Sequence, residues 1–271
     1  MTSPHTGRAY LDAVLDQPGS VLAFAHRGGA HHPAIAGLEN TLAAFENACA
    51  QGYRYLETDV HVSLDGVLVV MHDEILDRVT DARGEIARLP YAEIREARID
   101  GREPIPTLAE TFDALPPDTR FNVDIKSVGA VRALADFVAA RQAEDRVLVG
   151  CFSWRRMREF RRITAGRVAT SANPSEVAAF LSAPNLSLAR RASRGFDALQ
   201  VPHRRKGLLI TSSRLVKRAH AAGKHVHVWT IEEAEEIREL IGLGVDGLMT
   251  DRTDVLKAVL VEDGRWRETT T

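Results

Sequence analysis

Apolar and polar positions fall along the chain in alternating blocks. Short β-rich runs recur at residues 21–25, 54–60, 121–126, 147–151, 167–171, 198–201, 225–229 and 247–250. Between them lie segments with helical apolar spacing, among them residues 41–50, 131–140, 213–222 and 232–241. A parallel strand covered on both faces reads as a near-continuous apolar run, as Val147-Leu148-Val149 does. Repeated βα units predict a parallel sheet, and a chain of 271 residues matches the roughly 250 that one (β/α)8 barrel needs. The expectation is a (β/α)8 TIM barrel forming one domain over residues 1–271, with a small insertion after the second strand.

The insertion is where the alternation breaks. Residues 72–106 are rich in charge and carry Gly84, Gly101 and three prolines, which predicts an excursion from the barrel at about residues 73–106, with a short helix near 91–97. Just before it, Asp65-Gly66 is a turn signal between Val60-His61-Val62 and the run from Val67 to Met71. That pattern predicts a hairpin-like extension ending in His72-Asp73.

Composition narrows the partners. Thirty-five basic residues against 37 acidic ones leave a formal net charge of −2, so there is no basic footprint for nucleic acid. The 45% apolar fraction suits a sizeable core. Cys49 and Cys151 have no CxxC spacing and read as reduced core thiols. The first residues lack a basic start followed by a long apolar run, and nothing approaches ~18 uninterrupted apolar residues. A cytoplasmic protein without a transmembrane segment is expected; its oligomeric state is not encoded in any pattern.

Barrel enzymes build their sites from the loops after the strands, so polar residues at strand ends carry the functional reading. The first run leads into His26-Arg27-Gly28-Gly29, which places an imidazole and a guanidinium at the mouth beside a flexible turn; alone, the segment is equally a polar strand end. Glu57 and Asp59 share one strand face. If that face is interior, the two carboxylates need a cation or a basic partner, and a hard divalent cation with oxygen ligands is the natural one. His72 leaves an apolar run as His26 does, and two imidazoles at a shared mouth divide acid and base duties near neutral pH. On the third strand Asn122, Asp124 and Lys126 share a face; Asp124 completes the carboxylate set, or simply pairs with Lys126.

Together these segments resemble the glycerophosphodiester phosphodiesterase family. The resemblance spans nearly the whole chain and rests on His26-Arg27-Gly28-Gly29, Glu39-Asn40-Thr41, Glu57-Thr58-Asp59-Val60, Asp65-Gly66, His72-Asp73, Ile105-Pro106-Thr107-Leu108, Asp124-Ile125-Lys126, Val228-Trp229-Thr230, Gly244-Val245-Asp246-Gly247 and Thr250-Asp251. It implies a phosphodiesterase in which Glu57, Asp59 and Asp124 hold one divalent cation, Mg2+ or Ca2+ and also Mn2+. His26 and His72 would be the acid–base pair, with His26 the base. Arg27 and Lys126 would contact the phosphate, Trp229 would line the substrate pocket, and Glu39-Asn40 would support the first loop. The family more commonly has glutamate where this chain has Asp124. The implied reaction converts a small-molecule glycerophosphodiester to glycerol 3-phosphate and an alcohol such as choline or ethanolamine, the neighbouring glycerol hydroxyl attacking first and water then opening the cyclic phosphate. The rivals are the same chemistry on a lysophospholipid, as in a lysophospholipase D, and a barrel that binds phosphoesters without turnover. Neither a Walker loop nor a GxGxxG segment after a strand points to nucleotide chemistry.

The other histidines read as bystanders. His31 and His32 lie in a Pro-containing loop expected to be solvated, and His61, His203, His220, His225 and His227 have no evident partner. Arg155, Arg156, Arg158, Arg161 and Arg162 fall on a helical segment whose usual meaning is a solvated face.

Overall fold

In the computed structural model, which describes residues 3–13 and 20–266, the strands run β1 Leu22–Ala25, β2 Tyr55–Val62, β3 Arg120–Ile125, β4 Val147–Gly150, β5 Ala169–Thr170, β6 Ala198–Pro202, β7 His225–Trp229 and β8 Gly247–Thr250. They pair in parallel in the order β5-β4-β3-β2-β1-β8-β7-β6. The remaining seam, between β5 and β6, is bridged by Ser171 opposite Ala198 and by the Asp197 N–H donating to the Thr170 carbonyl at 2.8 Å. The expected (β/α)8 barrel is the observed architecture. All four residues of β4 are buried, as a strand covered on both faces must be.

Helices on the outside are α1 Leu42–Ala50, α2 Leu108–Ala114, α3 Gly129–Ala140, α4 Trp154–Ile163, α5 Pro174–Ser182, α6 Leu186–Ala192, α7 Ser213–Ala221, α8 Ala234–Leu243 and α9 Thr253–Glu262. Their starts are written in the sequence. Thr41 accepts from the Ala44 N–H at the start of α1, and Thr107 with Glu110, like Asn173 with Glu176, forms a capping box. Their apolar faces close on the barrel in a core that includes Phe45, Phe121, Phe160 and Phe196.

The extension after β2 is a strand, Leu68–Val70, antiparallel to β2 with Val60 opposite Val70. The excursion that follows closes over its own small core of Leu76, Ile86, Ile94 and Ile99, seated on Val69 and Met71. Its helix is shorter than expected, Tyr91–Ile94. The fifth strand is also shorter than the run at 167–171: regular pairing covers only Ala169–Thr170, and Ser171 makes an isolated bridge to Ala198. Cys151 is buried and Cys49 half-buried, and both are free thiols. No helix among the described residues is long and apolar enough to cross a membrane.

Candidate active site

The carboxyl ends of β1, β2, β3 and β7 face one cavity of about 700 Å³, lined by His26, Arg27, Glu57, Asp59, His72, Asp124, Lys126 and Trp229 among others. Every residue expected at the site therefore reaches the same opening. The β2–β3 register sets Glu57 beside Asn122 and Asp59 beside Asp124, so carboxylates from two strands stand at one level.

The turn after β1 orients the basic groups. Arg27 has φ 50°, and Gly28 and Gly29 have φ 85° and 89°, a region that glycine enters freely. A Cβ on Gly28 would stand 2.7 Å from Ala44 Cβ and 3.0 Å from its carbonyl carbon. Held this way, Arg27 donates its backbone N–H to Glu57 Oε2 at 3.1 Å and aims its side chain at Glu39, 3.1 Å away, and Asp59, 3.4 Å away. Asn40, buried with φ 60°, donates to Asp59 Oδ2 at 3.0 Å and accepts from Thr58 Oγ1 at 2.8 Å. Glu39-Asn40 thus buttresses the first loop.

Lys126 Nζ lies 3.0 Å from Asp59 and 2.7 Å from Asp124. Burial disfavours its charge, but the two carboxylates more than compensate and raise its pKa. The same neighbours decide the acids. Asp59 is buried, which opposes ionisation, yet Lys126 and Arg27 hold its pKa below the usual range. Glu57 is pushed up to about 7 by burial and by the negative charge of Asp59. Asp124 Oδ1 is buried without a hydrogen-bond partner.

The histidines are held by carboxylates that the sequence reading did not assign. His26 Nδ1 donates to Asp251 Oδ1 at 2.9 Å, while its Nε2 faces Glu57 Oε2 at 3.7 Å. Burial opposes protonation of His26, but Glu57 and the Asp251 hydrogen bond outweigh it and lift the pKa to about 9. His72 Nδ1 is 2.5 Å from Asp73. Arg78 clamps Asp73 to Glu39, with Nε 2.5 Å from Asp73 and Nη2 2.6 Å from Glu39. That clamp ties the His72 loop to the Arg27 loop. His61 supports the same segment through the His72 carbonyl at 3.1 Å.

Several bystanders read differently in three dimensions. His203 is buried and pairs with Glu236, and His220 pairs with Asp246 at 2.8 Å. His227 is fully buried beside Phe24, and burial followed by the charge on His225 lowers its pKa to about 3. The arginine-rich α4 is not a uniformly solvated face. Arg161 bonds Glu176 and the Ser171 carbonyl at the β5 end, and Arg156 caps the Lys126 carbonyl. His31 is exposed as expected, with Glu232 3.0 Å away. Among the described residues, His31, Glu232 and Asp251 are the His, Cys, Asp or Glu groups whose ligand atoms all lie within 4.8 Å of one another. Glu57, Asp59 and Asp124 are spread more widely, with Lys126 Nζ between the last two.

The motif order and the barrel register have their counterpart in known proteins. The profile of the Glycerophosphoryl diester phosphodiesterase family matches residues 26–255. The chain belongs to the glycerophosphoryl diester phosphodiesterase family. It is 38% identical over 251 residues to the Mycobacterium tuberculosis protein named probable glycerophosphodiester phosphodiesterase 2, covering 92% of this chain and 94% of that one. A crystal structure of a candidate glycerophosphoryl diester phosphodiesterase from Silicibacter pomeroyi superposes with a TM-score of 0.78 at 28% identity, over 95% of this chain and 99% of the other. Human lysophospholipase D GDPD1 is 27% identical, with 87% of this chain and 84% of that protein aligned. The matched segment begins at His26 and extends past Asp251, so the whole site lies inside it.

Proposed function

We propose that this member of the glycerophosphoryl diester phosphodiesterase family hydrolyses glycerophosphodiesters to glycerol 3-phosphate and an alcohol, with one divalent cation at Glu57, Asp59 and Asp124. The observation that carries this reading is the convergence of two carboxylate-held histidines, three buried carboxylates and two basic side chains on one cavity. Three oxygen-bearing acids suit a hard cation. Asp124 Oδ1, buried without a partner, and Glu57, pushed towards neutrality by Asp59, are groups a cation would satisfy. The His31, Glu232 and Asp251 group fits less well, because His31 is 60% exposed and Asp251 already holds His26.

When bound, Mg2+, Ca2+ or Mn2+ would neutralise phosphate charge and polarise the P–O bonds. The protein's own groups do the rest. Arg27 and Lys126 draw the non-bridging phosphate oxygens, and Trp229, edge-on to Phe152 at 6.1 Å, walls the substrate. In this reading the acid and base roles are the reverse of those implied by the sequence. His26, whose Nδ1 donates to Asp251, gives its Nε2 proton to the departing alcohol oxygen. His72 takes the proton of the glycerol hydroxyl as its oxygen attacks phosphorus. The two roles exchange when water opens the cyclic phosphate.

A second reading has its own support. Beyond the polar end, the cavity is walled by Phe152, Val177, Leu181, Ile210 and Trp229, a surface suited to one acyl chain and to lysophospholipase D chemistry. Incubating the protein with glycerophosphocholine, glycerophosphoethanolamine and lysophosphatidylcholine, and identifying products by mass spectrometry, separates the readings. Glycerol 3-phosphate with choline or ethanolamine is the expected outcome. Release of choline from lysophosphatidylcholine alone would favour the second reading, and no release from any substrate would refute both.

A further inference from the structure

We infer that the barrel mouth docks on the surface of an anionic lipid bilayer through the hairpin that follows β6. Strands Arg204–Arg205 and Leu208–Leu209 pair antiparallel, Arg204 opposite Leu209 and Arg205 opposite Leu208. Lys206 and Gly207 form the tip with φ 49° and 80°, the paired positive angles of a tight two-residue hairpin turn. The tip therefore carries three cations and two leucines side by side. Leu208 is 69% and Leu209 49% exposed. Arg204, Arg205 and Lys206 are exposed and, among the described residues, enter no ion pair.

Neither half of this pattern serves the fold. Two leucines facing water forgo burial that would stabilise the fold, and three adjacent unpaired cations repel one another, on a chain whose net charge is only −2. A bilayer surface satisfies both halves: leucines enter the boundary between headgroups and acyl chains, while long basic side chains reach back to lipid phosphates. The hairpin is also continuous with an apolar arc. Phe152, 61% exposed after β4, and Leu181, 41% exposed on α5, both line the cavity, as Arg204, Arg205 and Lys206 do. Docking would turn the cavity mouth towards the membrane, so that amphiphilic phosphodiesters could pass from the leaflet into the site. The bilayer contact itself does not depend on which substrate is hydrolysed.

The test is sedimentation of the full chain with sucrose-loaded vesicles of phosphatidylcholine, with and without phosphatidylglycerol and in low and high salt, none of them containing substrate. Binding should appear with the anionic lipid and fall in high salt, each tip cation contributing about fivefold to partition. Leu208→Ser with Leu209→Ser should weaken vesicle binding about tenfold or more while leaving turnover of dissolved glycerophosphocholine unchanged, which also shows that the variant is folded. Three outcomes overturn the inference: no binding to anionic vesicles, equal binding by the variant, or concentration-dependent self-association that the variant abolishes, which would make a second copy the occupant. Vesicle binding without any turnover would instead refute the catalytic reading and leave the docking intact.

Discussion

Asp124 gives one oxygen to Lys126 at 2.7 Å and keeps the other buried and unpartnered. Pattern alone placed it on the face of Lys126 but left two meanings open, a cation ligand or half of an ion pair, and the divided carboxylate has room for both. Asp124→Ala should therefore weaken cation affinity as strongly as Asp59→Ala if it binds directly, or about 10- to 100-fold if it acts through water. Asp124→Glu should keep substantial activity. Calorimetric titration of chelator-treated variants separates these cases, and unchanged affinity in Asp124→Ala would reduce the residue to a partner of Lys126. His26 was legible as chemistry, but its protonation state was not, because Asp251 lies 225 residues away in sequence. In metal-free protein the His26 imidazole should titrate near pH 9 by NMR. Asp251→Asn removes the carboxylate that favours the charged form, so the titration should move to lower pH; an unmoved midpoint would mean that Asp251 does not set the proton.

At the scale of elements, strand spacing and strand-end motifs were legible because the parallel strands are largely buried on both faces and the loops after β1, β3 and β8 begin with a charged or titratable residue. The hairpin extension, the excursion and the caps of α1 and α2 follow from turn and cap residues that act locally. What pattern could not supply was partnership across elements. The arginines of α4 look like a solvated stripe until the start of α5 brings Glu176 to Arg161, and Arg78 is one charge among many until the excursion folds it between Asp73 and Glu39. The turn after β1 is the element on which the site depends most. Gly28→Ala would force a Cβ to within 2.7 Å of Ala44 at φ 85°, so a loss of about 2 kcal/mol or more in denaturant unfolding is expected. Activity should fall with it, since Arg27 precedes the turn; a variant of native stability and activity would show that this backbone is not required.

For the whole molecule, chain length and alternation sufficed for the barrel, because few other folds use eight βα units. Closure did not show in the pattern: the β5–β6 seam rests on Ser171 and Asp197 rather than on a recognisable strand. The same scale explains why carboxylates survive inside a barrel. Glu57, Asp59 and Asp124 are buried against Arg27, Lys126 and His26, and the pocket is electrically balanced only while those cations are shared among them. A phosphodiester arriving between Arg27 and Lys126 would draw basic charge away from the acids, and the proposed divalent cation at the acids would restore the balance. The most direct test is therefore to remove metal from the wild type, Asp59→Asn and His31→Ala with a chelator, then add back magnesium, calcium or manganese while following glycerol 3-phosphate release from glycerophosphocholine. The expected result is loss of turnover on chelation, with recovery in the wild type and His31→Ala but not in Asp59→Asn. Full turnover in chelator, or recovery that fails in His31→Ala and persists in Asp59→Asn, would contradict a cation held by Glu57, Asp59 and Asp124.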